Sequence, residues 1–163
     1  MSDILNLVKG HKIRRFDTGK VILEEGTKTD ELYFLAEGAV EILKDGVLIT
    51  MSSQPGAVFG EISALLGCAH TATVRALQPC SFYVTTGSPR EFVEASPAIW
   101  RHVSESLARR LDAVNTYLVK AKQKFEGTEH IQILNGVLEA LMQRDPPIFH
   151  RVPPPAKAEH VHN

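Results

Sequence analysis

Between Phe59 and Ala76 the chain reads FGEISALLGCAHTATVRA, a run whose residue types suit the holding of an anion. Gly60 stands directly before EISALL, which reads as a short helix. Glycine lets a backbone come close to a ligand because it has no Cβ. The first N–H groups of a helix lack an internal acceptor and lie at the positive end of its dipole, so a helix start attracts negative charge. Glu61 at the same start is an acid. It either caps the helix or accepts a hydrogen bond from a hydroxyl beside the anion. A sugar phosphate offers both groups at once.

Other chemistries find less support. There is no Gly-x-Ser-x-Gly elbow, no P-loop and no zinc-helix motif, so no enzyme activity is expected. His70, His102 and His130 are scattered without metal-ligand spacing, and neither metal nor haem is expected. Cys68 and Cys80 make neither a metal cluster nor a disulfide framework. The net charge of -1 provides no basic field for nucleic acid. No apolar run is long enough to span a bilayer, and Asp3 and Asn6 interrupt any secretory h-region. A reduced, cytoplasmic protein is expected.

The elements that must position the run follow from periodicity. With 163 residues, 44% of them hydrophobic and 23% charged, the chain can bury a real core. Residues 1–9 suggest one or two helical turns with Ile4, Leu5 and Val8 on one side. From His11 to about Thr86 the pattern is strand-like: KIRRF, KVILEE, ELYFLAEG, AVEILK, VLITM, QPGAVFGE, TATVRAL and CSFYVTT, separated by turn residues. Asp45-Gly46 is a type I′ hairpin signal, since both central residues need positive φ. Many short strands at close spacing predict a sandwich or barrel.

After Thr86 the chain turns helical. Ser88-Pro89 with Glu91 predicts one helix start and Ser96-Pro97 a second. The second helix, 97–125, carries an apolar stripe: Trp100, Val103, Leu107, Leu111, Val114, Leu118, Ala121 and Phe125. That stripe packs on the chain's own β-roll or pairs in a homodimer as a coiled coil; the dimer is favoured because the stripe outlasts the reach of a small β-roll, with Trp100 in the core or the interface. His102 is expected at the surface. Arg109 and Arg110 are expected to be solvated or to make salt bridges between helices. An additional helix is expected over 126–145, then a Pro-rich tail over 146–163 that lacks order.

The quoted run resembles the phosphate-binding cassette of cyclic nucleotide-binding domains. That cassette reads F-G-E, a short helix, a variable loop, then an arginine followed by A-(T/S)-V-x-A one residue on. This chain has FGEIS and TATVRA. GKVILEEG, ELYFLAEGAVEIL and PGAVFGE match further landmarks in order, so the resemblance covers about Ile13 to Leu118. It implies a mainly β fold with flanking helices, an eight-stranded jelly-roll-like β-roll of the catabolite-activator type, occupying 1–125. It implies cyclic AMP or cyclic GMP as ligand. Phe59, Gly60, Glu61, Ile62, Ser63, Ala64, His70, Thr71 and Ala72 would form the site. Glu61 would accept from the ribose 2′-hydroxyl, and the amides near Ser63, Ala64, Thr71 and Ala72 would face the phosphate. In eukaryotic members a threonine at the position of Thr71 favours guanine. Asn115 on the long helix is the candidate for base contact. After Phe125 fewer residues remain than the roughly 50 of a small domain, so no winged-helix DNA-binding domain is expected and output must go to an unknown protein effector.

His70 stands where the resemblance places an arginine. An arginine offers a permanent positive fork, whereas a histidine is mostly neutral near pH 7. Losing a charge-assisted bond costs about 1–2 kcal/mol, or about ten-fold in affinity. A bound phosphate would raise the histidine pKa, so binding is expected to tighten as pH falls. The main reading is a cyclic nucleotide sensor whose flanking helices move on binding. The alternative is a degenerate domain that binds another ligand, or acts as a ligand-independent oligomerisation or scaffold module.

Overall fold

The computed structural model describes residues 3–124 and, beyond them, 132, 133, 135–137 and 139. Helix α1 (Asp3–Val8) precedes strands β1 (Lys12–Phe16), β2 (Val21–Leu23), β3 (Glu31–Glu37), β4 (Val40–Lys44), β5 (Val47–Ser52) and β6 (Val58–Phe59). Helix α2 (Glu61–Leu66), strands β7 (Thr73–Ala76) and β8 (Cys80–Thr86), and helices α3 (Pro89–Ala95) and α4 (Pro97–Lys124) follow. The strands form two four-stranded antiparallel sheets, in the orders β1-β8-β3-β6 and β2-β7-β4-β5. This is the expected eight-stranded β-roll. The chain divides into two compact units, Met1–Arg110 and Leu111–Asn163. In the second unit, described residues continue α4 and are helical again at 132, 133, 135–137 and 139. The expected tail at 146–163, Phe125 and most of the helix expected over 126–145 lie outside the described residues.

Why β3 reads as a continuous apolar run is explained by what covers it. Side chains alternate across a strand. Tyr33 and Leu35 face the other sheet, in a core with Ile22, Val40, Phe59, Val74, Phe82 and Val84. Leu32 and Phe34 face the opposite way and pack with Ile4, Val8, Val58, Val93, Ile99 and Val103. A strand buried on both faces cannot alternate polar with apolar.

The turns follow local chemistry. Asp45 and Gly46 have φ of 50° and 76°, as a type I′ hairpin requires. Ser88 caps α3, its Oγ accepting from the Glu91 N–H at 3.3 Å, and Ser96 accepts from the Ile99 N–H at 3.4 Å. Two expectations for α4 need correction. Trp100 is 46% exposed, outside the core; Ile99 takes the first buried place of the packed face, which continues through Val103 and Leu107 of the expected stripe. His102 is half-buried, and its Nε2 lies 2.8 Å from the Gly56 carbonyl, because the start of α4 packs against sheet residues.

Phe82 on β8 gathers the aromatic rings of its own sheet on the face turned to the core. It is fully buried and meets the rings of Phe16, Tyr33 and Phe59 at centroid separations of 5.8, 5.8 and 6.2 Å. Phe82→Ala is expected to cost about 3–5 kcal/mol, read from urea denaturation.

Candidate functional site

The expected site lies where the chain leaves β6 in one sheet and returns as β7 in the other. Gly60 makes the exit possible. Its φ is 90°, and an added Cβ would come within 2.9 Å of the Glu31 carbonyl oxygen. Any side chain there meets both backbone strain and a clash. α2 then begins at Glu61 and ends at Gly67, again with positive φ.

Glu61 is 2% exposed and is no cap. Its Oε1 accepts a short hydrogen bond from Arg110 Nη1. Arg110 Nη2 donates to the Val58 carbonyl at 2.9 Å, and the guanidinium lies over the Phe59 ring at 5.8 Å. Burial pushes the Glu61 carboxyl up, and Arg110 opposes that shift. Arg110 thus makes one of the expected salt bridges between helices, from α4 to the first residue of α2 across 49 residues, while its side chain stays 42% exposed. A signal existed. Arg110 is three residues past Leu107 and seven past Val103, both on the packed face of α4. Arg109 is the more exposed member of the pair and meets Glu105 at 3.5 Å.

His70 is 4% exposed, and both ring nitrogens are occupied. Nδ1 lies 2.7 Å from Ser63 Oγ and Nε2 lies 2.9 Å from Thr29 Oγ1. The main chain is fixed too: His70 N–H donates to the Thr27 carbonyl at 2.7 Å, and its carbonyl accepts from Gly26 N–H at 2.9 Å. Burial lowers the imidazole pKa. A neutral ring with one donating and one accepting nitrogen fits two hydroxyls, which can each do either. Thr29 was not legible as a partner, since nothing local links it to residue 70.

The next residues lie beside a polar cluster. Thr71 and Ala72 are half-buried. The Thr71 carbonyl accepts from Lys44 Nζ at 2.8 Å. Lys44 also donates to Glu25 Oε1 at 2.8 Å, and Glu25 Oε2 accepts from the Asp45 N–H at 2.8 Å. The Glu25 N–H donates to Thr73 Oγ1 at 3.1 Å. Lys28 Nζ reaches the Gly67 carbonyl at 3.4 Å.

Of the expected site residues, Phe59, Gly60, Glu61, Ile62, Ser63, Ala64, His70, Thr71 and Ala72 fall in the first unit, whereas Asn115 belongs to the second. The Phe59 ring packs into the core between the sheets. Ala64 packs against the cluster under the helices. Among the described residues no group of three or more His, Cys, Asp or Glu could hold a metal. No helix of the described residues is long and apolar enough to cross a membrane.

Comparison with known proteins gives these results. Residues 13–89 match the family described as the cyclic nucleotide-binding domain. Over 67 residues the chain is 42% identical to the cAMP-dependent protein kinase regulatory subunit of Yarrowia lipolytica, covering 41% of this chain and 18% of that protein. Over 141 residues it is 30% identical to the potassium/sodium hyperpolarization-activated cyclic nucleotide-gated channel 4 of Oryctolagus cuniculus, covering 83% of this chain and 12% of the channel. The chain thus spans less than a fifth of either relative. The Thermus thermophilus catabolite activator protein shares the fold, with a TM-score of 0.58 and 23% identity over 74% of this chain and 60% of that one.

Two measurements test these contacts. Arg110→Met leaves a buried carboxylate unanswered and is expected to cost about 2 kcal/mol in urea denaturation. The loss should be larger near pH 8 than near pH 5, where protonation relieves Glu61, and Glu61→Gln should recover part of it. For His70 the folded pKa lies below the unfolded value of about 6.5, so the unfolded chain binds the proton more readily. This contribution is complete above about pH 6.5 and is lost as pH falls through the folded pKa. The melting temperature should fall more between about pH 7 and about pH 5 in the wild type than in His70→Gln, which does not titrate.

Proposed function

We propose that this chain, whose residues 13–89 form a domain of the cyclic nucleotide-binding family, is a regulatory module that binds cyclic AMP or cyclic GMP in its 59–72 cassette. It has no catalytic role, works in the cytoplasm, and passes occupancy to a protein effector through α4. The observation that carries this reading is the Arg110–Glu61 pair. By resemblance Glu61 accepts the ribose hydroxyl, and the same carboxylate holds α4. A nucleotide that engages Glu61 therefore alters what Arg110 is held by. That gives the ligand different affinities for two positions of the helix, which is the requirement for a population shift. Both sequence relatives, a cAMP-dependent protein kinase regulatory subunit and a cyclic nucleotide-gated channel, support such a role.

A homodimer through α4 accompanies this reading. Leu111, Val114 and Tyr117 in the second unit are 50%, 48% and 71% exposed, an apolar cost that a second helix would remove.

One observation favours a second reading, in which the pocket has changed ligand or serves only as a scaffold. His70 is neutral, buried and already satisfied by Ser63 and Thr29. It brings no charge to a phosphate at neutral pH.

Calorimetry with cyclic AMP and cyclic GMP separates the two. In the free protein burial holds His70 neutral, and a bound phosphate favours the imidazolium. Binding then takes up a proton, so affinity rises as pH falls. The wild type is expected to bind more tightly near pH 6 than near pH 8, while His70→Arg shows no such difference. No binding by the wild type, with binding by His70→Arg, would favour the changed-ligand or scaffold reading.

A further inference from the structure

We propose that Lys44 carries the permanent positive charge that meets the phosphate of a bound nucleotide. This rests on reading the cassette as a cyclic nucleotide site, and adds which side chain supplies the charge that residue 70 does not.

A cyclic phosphodiester brings a full negative charge, which needs a cation or several N–H donors once partly removed from water. The His70 ring is neutral, and its nitrogens face two hydroxyls. Arg110, Arg75, Arg14 and Arg90 pair with Glu61, Glu41, Glu31 and Glu94, and among the described residues none of them donates to the segment between α2 and β7. Two lysines touch the segment between α2 and β7. Lys28 reaches its beginning, at the Gly67 carbonyl, and Lys44 reaches its end, at the Thr71 carbonyl. Lys44 is therefore the cation in contact with the residues on which the phosphate-facing amides lie.

The fold explains why Lys44 is there. β4 is the neighbour of β7, with Leu43 opposite Thr73. The next residue along each strand, outward from that pair, brings Lys44 beside the Thr71–Ala72 peptide. The Asp45-Gly46 turn fixes the end of β4, and Glu25 ties the turn down through the Asp45 N–H. Lys44 itself is held at two points, Glu25 Oε1 and the Thr71 carbonyl. An ammonium has three N–H donors, so one remains for a ligand. Among the described residues the Thr71 and Ala72 N–H groups have no backbone acceptor. Two free amides and a tethered ammonium lie within one short segment. The Lys44 side chain is half exposed, so its contribution is screened by salt. Glu25 sets the strength of this charge, because it competes with the phosphate for the same ammonium.

The test uses the full chain and calorimetry with cyclic AMP and cyclic GMP near pH 8, where an imidazole is uncharged. Lys44→Gln keeps a donor for the Thr71 carbonyl and removes the charge. It is expected to weaken binding by about ten-fold at low salt and to flatten the salt dependence. Lys44→Arg should stay close to wild type, and so should Lys28→Gln, which removes the same charge from the other end of the segment. Glu25→Gln leaves Lys44 charged and removes the competing negative charge, and is expected to tighten binding. This last result also guards against a merely structural role for the cluster, since loosening the hairpin would weaken binding. Wild-type affinity in Lys44→Gln overturns the assignment, as does an equal loss in Lys28→Gln or weaker binding in Glu25→Gln. If the wild type and every variant bind neither nucleotide, the proposed function itself falls, and Lys44 with it.

Discussion

A carboxylate removed from water must meet a cation or give up its charge. Glu61 meets Arg110, and much of the first unit is arranged around that contact. Glu61 is buried because Gly60 turns the chain sharply against the Glu31 carbonyl, where a Cβ would not fit. Phe59, one residue earlier, is thereby committed to the core between the sheets, and its ring lies under the guanidinium. Arg110 is brought there by α4, whose first turns bury Ile99 and Val103 against the outer face of the sheet containing β3. The hydrophobic packing of α4 and the electrostatics at the start of α2 thus meet at one residue.

The other half of the cassette is organised differently. Its centre is an uncharged ring between two hydroxyls, and its charges lie at the edges, on lysines bound to carbonyls. A family arginine would combine position and charge in one side chain. Here His70 supplies position, through both its ring and its main chain, and Lys44 is the nearby source of charge. The first is insensitive to salt because it is buried; the second is exposed and screened.

The parts of the molecule legible in sequence are those determined by neighbours along the chain. Asp45-Gly46 announced its hairpin because the two residues alone satisfy the turn. Ser88-Pro89 and Ser96-Pro97 announced helix starts because a cap and its acceptor lie three residues apart. The likeness to the matched family was legible for the same reason, as the motif that carries it runs from 59 to 76 within the matched residues 13–89. What stayed hidden depends on contacts between distant residues. Thr29 meets His70 across 41 positions, Lys44 meets Thr71 across 27, and Arg110 meets Glu61 across 49. His102 was misjudged because a histidine looks polar, yet on this helix it faces the Gly56 carbonyl. For Trp100 the core half of the expectation fails: its size suggested burial, while the helix phase gave that place to Ile99.

Thr29, Ser63 and His70 also bear on how such a site can change over generations. The ring is satisfied only while both hydroxyls are present, and each hydroxyl is satisfied by the ring. Substitutions at residues that share a partner do not add independently. Replacing His70 alone leaves two oxygens positioned for an imidazole, and replacing either oxygen alone leaves a buried nitrogen without its partner. The three positions therefore form an epistatic set. A double-mutant cycle across His70 and either hydroxyl would therefore show a coupling that single substitutions miss.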